Sequence, residues 1–237
     1  MRVIVYGDFN CPYSYLASQR ADQLTHDGIA RIDWRAVEHD HGLALTGTPS
    51  GPDRGTWDKE LAEVAALSLP GESVPAAPPP VISNTEAAVA AYAEAVSDGI
   101  ADELRRRLFA AVWVEGRHIS SAYEARSLVI GLMWAQEDIA SRLASPDIAS
   151  LLNRDPDPWR AVRRSGGIIA PNGEPLTISG RRRIRRWRQG WLGLPSQVIP
   201  AVVGHDQILR SGTEALHYLA HLTGTGNVPY RAPAPTA

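Results

Sequence analysis

The sequence predicts an α/β fold in which an all-helical domain is inserted into a small mixed domain. Three observations support it: a β-α-β pattern at the start, a long helical stretch in the middle, and a β-β-α pattern near the end. A chain of 237 residues is long enough for one domain with an insertion, or for two small domains. We expect residues 1–38 and 192–224 to form the α/β domain, 39–191 the helical domain and 225–237 a disordered tail.

The β-α-β pattern comes first in the chain. Residues 2–8 have the apolar character of a buried strand, and a helix is predicted from Pro12 to His26. Proline suits the first helical position because its missing N–H is not needed there, and Gly28 suits the position after the helix. Residues 29–38 alternate enough to predict the second strand.

Helical patterns dominate the middle of the chain. A proline-rich connector is expected at 70–80, and a loop or small hairpin at 166–173. Helices are predicted over 58–67, 84–97 with Asn84 as N-cap, 102–114, 121–135, 136–144, 145–153 and 178–190.

The β-β-α pattern closes the chain. Residues 198–203 predict a strand, 206–210 its hairpin partner, and 213–223 an amphipathic helix.

Composition excludes several classes of protein. A formal net charge of −2 gives no general attraction to nucleic acid or to an anionic membrane. No apolar run approaches membrane-spanning length, and the N-terminal residues show no secretory signal, so we expect a soluble cytoplasmic protein. Its one cysteine excludes an intramolecular disulfide.

That cysteine, Cys11, lies where the first strand should lead into the first helix. Unpaired N–H groups and the positive end of the helix dipole favour a thiolate there, which predicts an accessible nucleophile with a lowered pKa. The alternative is a small buried hydrophobic residue, as most free cysteines are. Since Ser14 occupies the second position of a Cys-x-x-Cys motif, Cys11 would depend on an external thiol to resolve a mixed disulfide.

Ser14 follows Cys11 by one helical turn. Its hydroxyl is therefore expected near the sulfur, where it could donate a hydrogen bond to the thiolate. Alternatively, Ser14 simply belongs to the first helical turn.

Three stretches resemble the DsbA family, whose fold is thioredoxin-like with an inserted helical domain. They are Asp8–Leu16 around Cys-Pro-Tyr-Ser, Leu108–Gly116 in the helical region, and Ile199–Val203 followed by Ser211–Gly212. Within the family the chain is similar to a cytoplasmic branch. That branch includes dithiol-disulfide isomerases, 2-hydroxychromene-2-carboxylate isomerases and kappa-class glutathione transferases.

The resemblance implies roles for several residues. Pro200 matches the cis-proline that packs against the active-site motif, with Pro195 as a rival, and Ile199 would offer its backbone to a substrate. With Cys11 and Ser14, Pro12 belongs to the catalytic motif, and Tyr13 is a candidate substrate-binding residue.

The resemblance also implies a role for the start of the last helix. Ser211, Gly212 and Thr213 match the region that holds the γ-glutamyl end of glutathione in relatives that use it. The alternative is a capping-box-like helix start that needs no ligand.

Two charged runs were considered as a metal site and as a nucleic-acid surface, and neither is predicted. The run Glu38–His41 lacks the further ligands that a metal site needs, so no metal is predicted. The basic run Arg181–Arg188 is narrower than a nucleic-acid surface, and Ile184, Trp187 and Trp191 make it an amphipathic helix. Its basic side could still bind an anionic substrate or cofactor.

The leading functional hypothesis is a thiol-disulfide oxidoreductase or isomerase with Cys11 as a single nucleophilic thiol. The first alternative is an isomerase or transferase that uses a low-molecular-weight thiol on an aromatic or polyketide-like molecule. The second alternative is an inactive binding module. No tightly bound cofactor is expected. Glutathione or another small thiol would be a co-substrate, and a protein disulfide could be the substrate. A homodimer is compatible with the branch of the family that the chain resembles.

Overall fold

The computed structural model describes residues 1–143 and 168–224. The predicted helix at 145–153 and the predicted tail at 225–237 lie outside the described residues.

The described strands and helices alternate along the chain. The strands are β1 (Arg2–Gly7), β2 (Arg31–Ala36), β3 (Thr48–Pro49), β4 (Val81–Ile82), β5 (Ala201–Val203) and β6 (Leu209–Ser211). The helices are α1 (Pro12–His26), α2 (Arg54–Leu67), α3 (Glu86–Asp98), α4 (Ala101–Trp113), α5 (Ala122–Leu143), α6 (Ile178–Leu192) and α7 (Thr213–Leu222), with a short 3-10 turn at Gly51–Asp53. In sequence, α2 to α6 all fall between β2 and β5, and none of the described helices is long and apolar enough to cross a membrane.

The main sheet has four strands in the order β2-β1-β5-β6. Strand β1 runs parallel to β2, with Val5 opposite Trp34, and antiparallel to β5, with Val5 opposite Val202. Strand β6 continues the sheet antiparallel to β5. The predicted α/β class is therefore confirmed, and the β-α-β unit and the closing β-β-α unit share one sheet.

The helices cover this sheet and one another. Helix α1 packs against α7, α4 and α2, while α3 packs against α4, α5 and α6. An aromatic cluster joins the sheet to the helical segment: the ring centroid of Phe109 on α4 lies 5.1 Å from Phe9, 5.8 Å from Tyr15 and 5.8 Å from Trp34. Because Phe9 lies two residues before Cys11, this cluster also fixes the loop that carries the thiol.

Several predicted boundaries were wrong. Helix α5 is continuous from Ala122 to Leu143, so the separate helices predicted at 121–135 and 136–144 are one; no proline or glycine interrupts the chain near position 136. The N-cap of α3 is Thr85, whereas Asn84 accepts a hydrogen bond from Glu86 N–H. Strand β5 is shorter than predicted because it begins only after Pro200.

A two-stranded antiparallel pair, β3 with β4, was not predicted. Each strand has two residues, too few to show a periodic pattern. The pair brings the loops around Thr48 and Val81 together, and Ser83, directly after β4, hydrogen-bonds to Asn10 in the loop after β1.

Candidate active site

Cys11 is the N-cap of α1, with an extended backbone conformation (φ −95°, ψ 120°). Its Sγ atom accepts a hydrogen bond from the backbone N–H of Ser14 at 3.4 Å. The sulfur thus occupies the position where a helix N-terminus offers unpaired N–H groups, as the sequence predicts. The residue is partly buried.

Opposite the thiol lies the loop before β5. The peptide bond between Ile199 and Pro200 is cis, as the resemblance implies, and the rival Pro195 has no cis bond. The carbonyl oxygen of Ile199 lies 3.9 Å from the Sγ of Cys11 and can accept the S–H hydrogen bond. The fold therefore brings the two segments together where the end of β1 lies beside the start of β5.

The predicted lowering of the thiol pKa is wrong for this structure. Burial raises the pKa of Cys11 to about 11. The hydroxyl and N–H of Ser14 lower the pKa, but less than burial raises it, and the Asp8 carboxylate raises it further. Loss of hydration around the sulfur outweighs the favourable groups at the helix end, so Cys11 is a protonated thiol at neutral pH.

Ser14 is fully buried beside the sulfur. Its hydroxyl oxygen accepts a hydrogen bond from the N–H of Asp8 at 3.4 Å, and the same hydroxyl lowers the pKa of Cys11. Ser14 therefore links the end of β1 to the thiol, in addition to being part of the first helical turn.

Asp8 is a site residue to which the sequence reasoning assigned no role. Its buried carboxylate accepts hydrogen bonds from the N–H of Asn10 at 3.1 Å, the hydroxyl of Thr85 at 3.1 Å and the N–H of His39 at 2.8 Å. Burial raises the pKa of Asp8, although these hydrogen bonds lower it. An acidic residue directly after an apolar strand was the signal that could have identified it.

Cys11 lies in the wall of a cavity of about 320 Å³. Three other predicted site residues line it with Cys11: Pro12, Tyr13 and Ile199. The remaining wall residues are Asp8, Asn10, His39, Asp40, Leu43, Trp57, Glu60, Ile82 and Val198. Several come from the loop after β2 and from α2, which were not predicted to contribute to the thiol site.

Three predicted residues are close to Pro200 but do not line this cavity. The N–H of Gly212 donates to the carbonyl of Pro200 at 2.8 Å, and Ser211 is paired with Ala201 in the sheet. Thr213 begins α7, whose N-cap Gly212 has a positive φ of 59° and provides no side-chain cap. The predicted capping box is therefore absent, and these residues support the loop of Pro200.

The cavity is acidic. Its described wall contains three carboxyl groups, those of Asp8, Asp40 and Glu60, and no arginine or lysine. Next to the wall, the Tyr13 hydroxyl donates to Glu63 at 2.7 Å, which adds a fourth carboxylate nearby. Burial, and then repulsion from Glu63, raises the pKa of Glu60. A negatively charged ligand would therefore meet more carboxyl groups than basic side chains in the described wall, where His39 is the one basic residue.

The histidines considered as metal ligands have other contacts. The ring of His41 lies 3.3 Å from the Glu38 carboxylate, and both His39 and His41 pack edge-on near Trp191. Among residues 1–143 and 168–224, no group of three or more histidine, cysteine, aspartate or glutamate side chains could hold a metal ion.

Comparison with known families agrees with this geometry. The family model described as the DSBA-like thioredoxin domain matches residues 2–166. The chain therefore belongs to the DSBA-like thioredoxin domain family, and the predicted thioredoxin-like fold and DsbA resemblance are confirmed. No protein in the curated collection of sequences matches the chain.

Solved structures share the fold over nearly the whole chain. A probable DsbA oxidoreductase, SCO1869 from Streptomyces coelicolor, is 16% identical with a TM-score of 0.56 and covers 100% of this chain and 94% of its own. A 2-hydroxychromene-2-carboxylate isomerase is 17% identical with a TM-score of 0.54, covering 94% and 95%. The cytosolic disulfide reductase DsbM from Pseudomonas aeruginosa, solved with glutathione, is 12% identical with a TM-score of 0.56, covering 94% and 96%. Family membership and these names agree with the predicted class, a thiol-disulfide oxidoreductase or a thiol-dependent isomerase.

Proposed function

We propose that the protein is a single-thiol disulfide reductase in which Cys11 attacks a substrate disulfide. The observation that supports this most is the position of the Cys11 sulfur, at the start of α1 and 3.9 Å from the carbonyl oxygen of Ile199. A cavity of about 320 Å³ gives access to that pair.

The chemistry is a series of thiol–disulfide exchanges. Cys11 loses its proton and its sulfur forms a bond to one sulfur of the substrate disulfide; the substrate S–S bond breaks, and the leaving thiolate takes up a proton. A small external thiol then attacks the Cys11 sulfur and releases the second substrate thiol. Another small thiol regenerates Cys11 and leaves as the oxidised small-molecule disulfide, so the two electrons come from the two external thiols.

The raised pKa of Cys11 favours the reducing direction. A strongly oxidising site in this family of folds depends on a stabilised thiolate, which makes its disulfide easy to reduce. Here burial destabilises the thiolate and raises the pKa to about 11, so the thiolate is a strong nucleophile once formed and a poor leaving group. The first property suits attack on a disulfide, and the second makes the Cys11 mixed disulfide persist until excess small thiol displaces Cys11 from it.

The predicted site residues have separate roles in this scheme. Pro12 and Tyr13 shape one side of the cavity, while Ile199, which precedes the cis-proline Pro200, lines the opposite side. Ser14 stabilises the developing thiolate through its N–H and hydroxyl. Ser211, Gly212 and Thr213 act indirectly, by holding the loop of Pro200.

A thiol-dependent isomerase is the second candidate. The cavity volume of about 320 Å³ suits a small molecule, and one structural neighbour is a 2-hydroxychromene-2-carboxylate isomerase. In that case Cys11 would position the thiol of a co-substrate without forming a disulfide. In the inactive-module alternative, Cys11 would not react at all.

Turnover assays separate these candidates. We expect reduction of insulin by a small thiol to be accelerated by the wild-type protein and not by a Cys11→Ala variant. If the small thiol binds equally well to Cys11→Ala and no disulfide is reduced, the isomerase candidate is favoured. If Cys11 of the wild-type protein neither reduces disulfides nor reacts with alkylating reagents, the inactive binding module is the candidate that is favoured.

A further inference from the structure

A second and larger cavity, of about 580 Å³, lies along the edge strand β2. It is bounded by β2, the turn between α3 and α4, and α6, and it shares no wall residue with the cavity of Cys11. Five arginines line it, Arg2, Arg31, Arg35, Arg183 and Arg186. We call it the arginine cavity.

The arginines come from two parts of the sequence. Arg31 and Arg35 lie on the same face of β2, because side chains alternate along a strand. Arg183 and Arg186 are one helical turn apart on α6, within the basic run that the Cys11 site does not use. The fold therefore turns part of that run toward the edge of the sheet.

Few carboxylates balance these charges. Asp33 is shared between Arg2, at 2.7 Å, and Arg35, at 2.9 Å. Asp102, also in the wall, pairs with Arg105 at 2.8 Å. Within the described chain, Arg31, Arg183 and Arg186 have no carboxylate partner, so the wall keeps a positive charge in a chain whose net charge is −2.

Two of the guanidinium groups are held in place. Arg35 donates to the hydroxyl of Tyr6 at 2.6 Å as well as pairing with Asp33. Arg183 donates to the carbonyl of Ala93 and to the hydroxyl of Ser97 on α3. Groups that are already ordered lose less conformational entropy when a ligand binds.

We propose that the arginine cavity binds a small organic phosphate with at least two negative charges. The planar guanidinium matches phosphate oxygens with paired hydrogen bonds, which is why arginine is common in phosphate sites. A concave site of about 580 Å³ has the size of small-molecule sites, whereas nucleic acid would need a wide basic face. The proposal is separate from the chemistry of Cys11.

Calorimetric titration of the full-length protein tests it, with ADP and inorganic pyrophosphate as probes at constant ionic strength. We expect saturable binding of both, with ADP tighter because its organic part fills more of the cavity. Arg31→Gln and Arg186→Gln should each weaken binding at least tenfold. Both residues are exposed and have no ion pair among the described residues, so the fold should persist, which the unfolding midpoint checks.

Arg185→Gln is the matched control. It removes the same charge from the same helix, but Arg185 is exposed and does not line the cavity, so binding should change less than twofold. Equal losses in Arg185→Gln and Arg186→Gln would overturn the proposal in favour of diffuse surface charge. So would the absence of saturable binding by either probe, or binding only to long polyanions such as RNA. Insulin reduction measured in parallel reports on Cys11 independently.

Discussion

The sulfur of Cys11 lies 3.9 Å from the backbone carbonyl oxygen of Ile199, although 188 positions separate the two residues. Parallel pairing of β1 with β2 and antiparallel pairing of β1 with β5 bring them together. The thiol therefore faces a backbone acceptor in a loop whose last two residues, Ile199 and Pro200, are buried. This arrangement explains why the helix N-terminus alone does not determine the chemistry of Cys11.

The first prediction concerns the pH dependence of the thiol. Since burial raises the pKa of Cys11 to about 11, the thiolate fraction should grow about tenfold per pH unit from pH 7 to 10. The rate of alkylation by iodoacetamide, measured by intact mass, should follow that slope. N-acetylcysteine provides the reference for an unburied thiol, and its profile should level off earlier. A plateau for Cys11 below pH 9 would show that the helix terminus outweighs burial.

The same thiol should affect folding stability at high pH. A thiol whose folded pKa lies above its unfolded value stabilises the fold below the unfolded pKa, near 8.5 to 9. That contribution should disappear as the pH rises toward about 11. Cys11→Ala should remove this part of the pH dependence.

The second prediction assigns part of the raised pKa to Asp8. The charge of this buried carboxylate raises the pKa of Cys11, so Asp8→Asn should lower that pKa and speed alkylation at pH 8 several-fold. Asp40→Asn removes an exposed carboxylate from the same cavity wall and should change the rate less than twofold. Equal effects of the two variants would mean that the combined negative charge of the cavity wall, and not the charge of Asp8 in particular, raises the pKa of the Cys11 thiol.

The third prediction concerns the charge of the co-substrate. Because the described cavity wall has carboxyl groups and no arginine or lysine, it should disfavour an anionic thiol. We expect glutathione, which is anionic at neutral pH, to support a lower kcat/KM than its monoethyl ester, with the difference shrinking at high salt. Glu60→Gln should reduce the difference in kcat/KM between glutathione and its ester. Glu103→Gln, which removes a carboxylate on α4 outside the wall, should leave that difference unchanged. If glutathione is preferred in all variants, a cation outside the described wall must bind it.

The fourth prediction tests how α6 packs on the sheet. A Cβ atom at Gly190 would lie 2.5 Å from the hydroxyl of Tyr6, a buried residue, so Gly190→Ala should destabilise the fold by about 1–3 kcal/mol. Gly55 in α2 has open space around it, and Gly55→Ala should be neutral or stabilising by up to about 1 kcal/mol. Denaturant unfolding measures both. Similar stabilities for the two variants would show that α6 does not press against Tyr6.

Much of the fold could be predicted from local patterns. The start of α1 at Pro12 follows from a proline at the first helical position. The strand before it follows from a run of apolar residues, and the strand after it from alternation. The placement of Pro200 opposite Cys11 came from the family resemblance, since no local pattern relates residues so far apart.

The rest depends on tertiary structure. Trp57 and Glu60 reach the cavity wall only because α2 packs against α1, and β3 and β4 are too short to leave a pattern. The pKa of Cys11 was predicted in the wrong direction because sequence position reveals the helix end but not the burial of the sulfur. The arginine cavity likewise needs β2 and α6 to be adjacent.

The central claim is that Cys11 forms a mixed disulfide that only an external thiol can resolve. The most direct test is intact-mass measurement after mixing the protein with an uncharged small disulfide at pH 9, without added thiol. We predict one persistent adduct on the wild-type chain, none on Cys11→Ala, and a transient adduct on Ser14→Cys, where the new neighbouring thiol displaces it. An unmodified wild-type chain, or an adduct that disappears without added thiol, would contradict the claim.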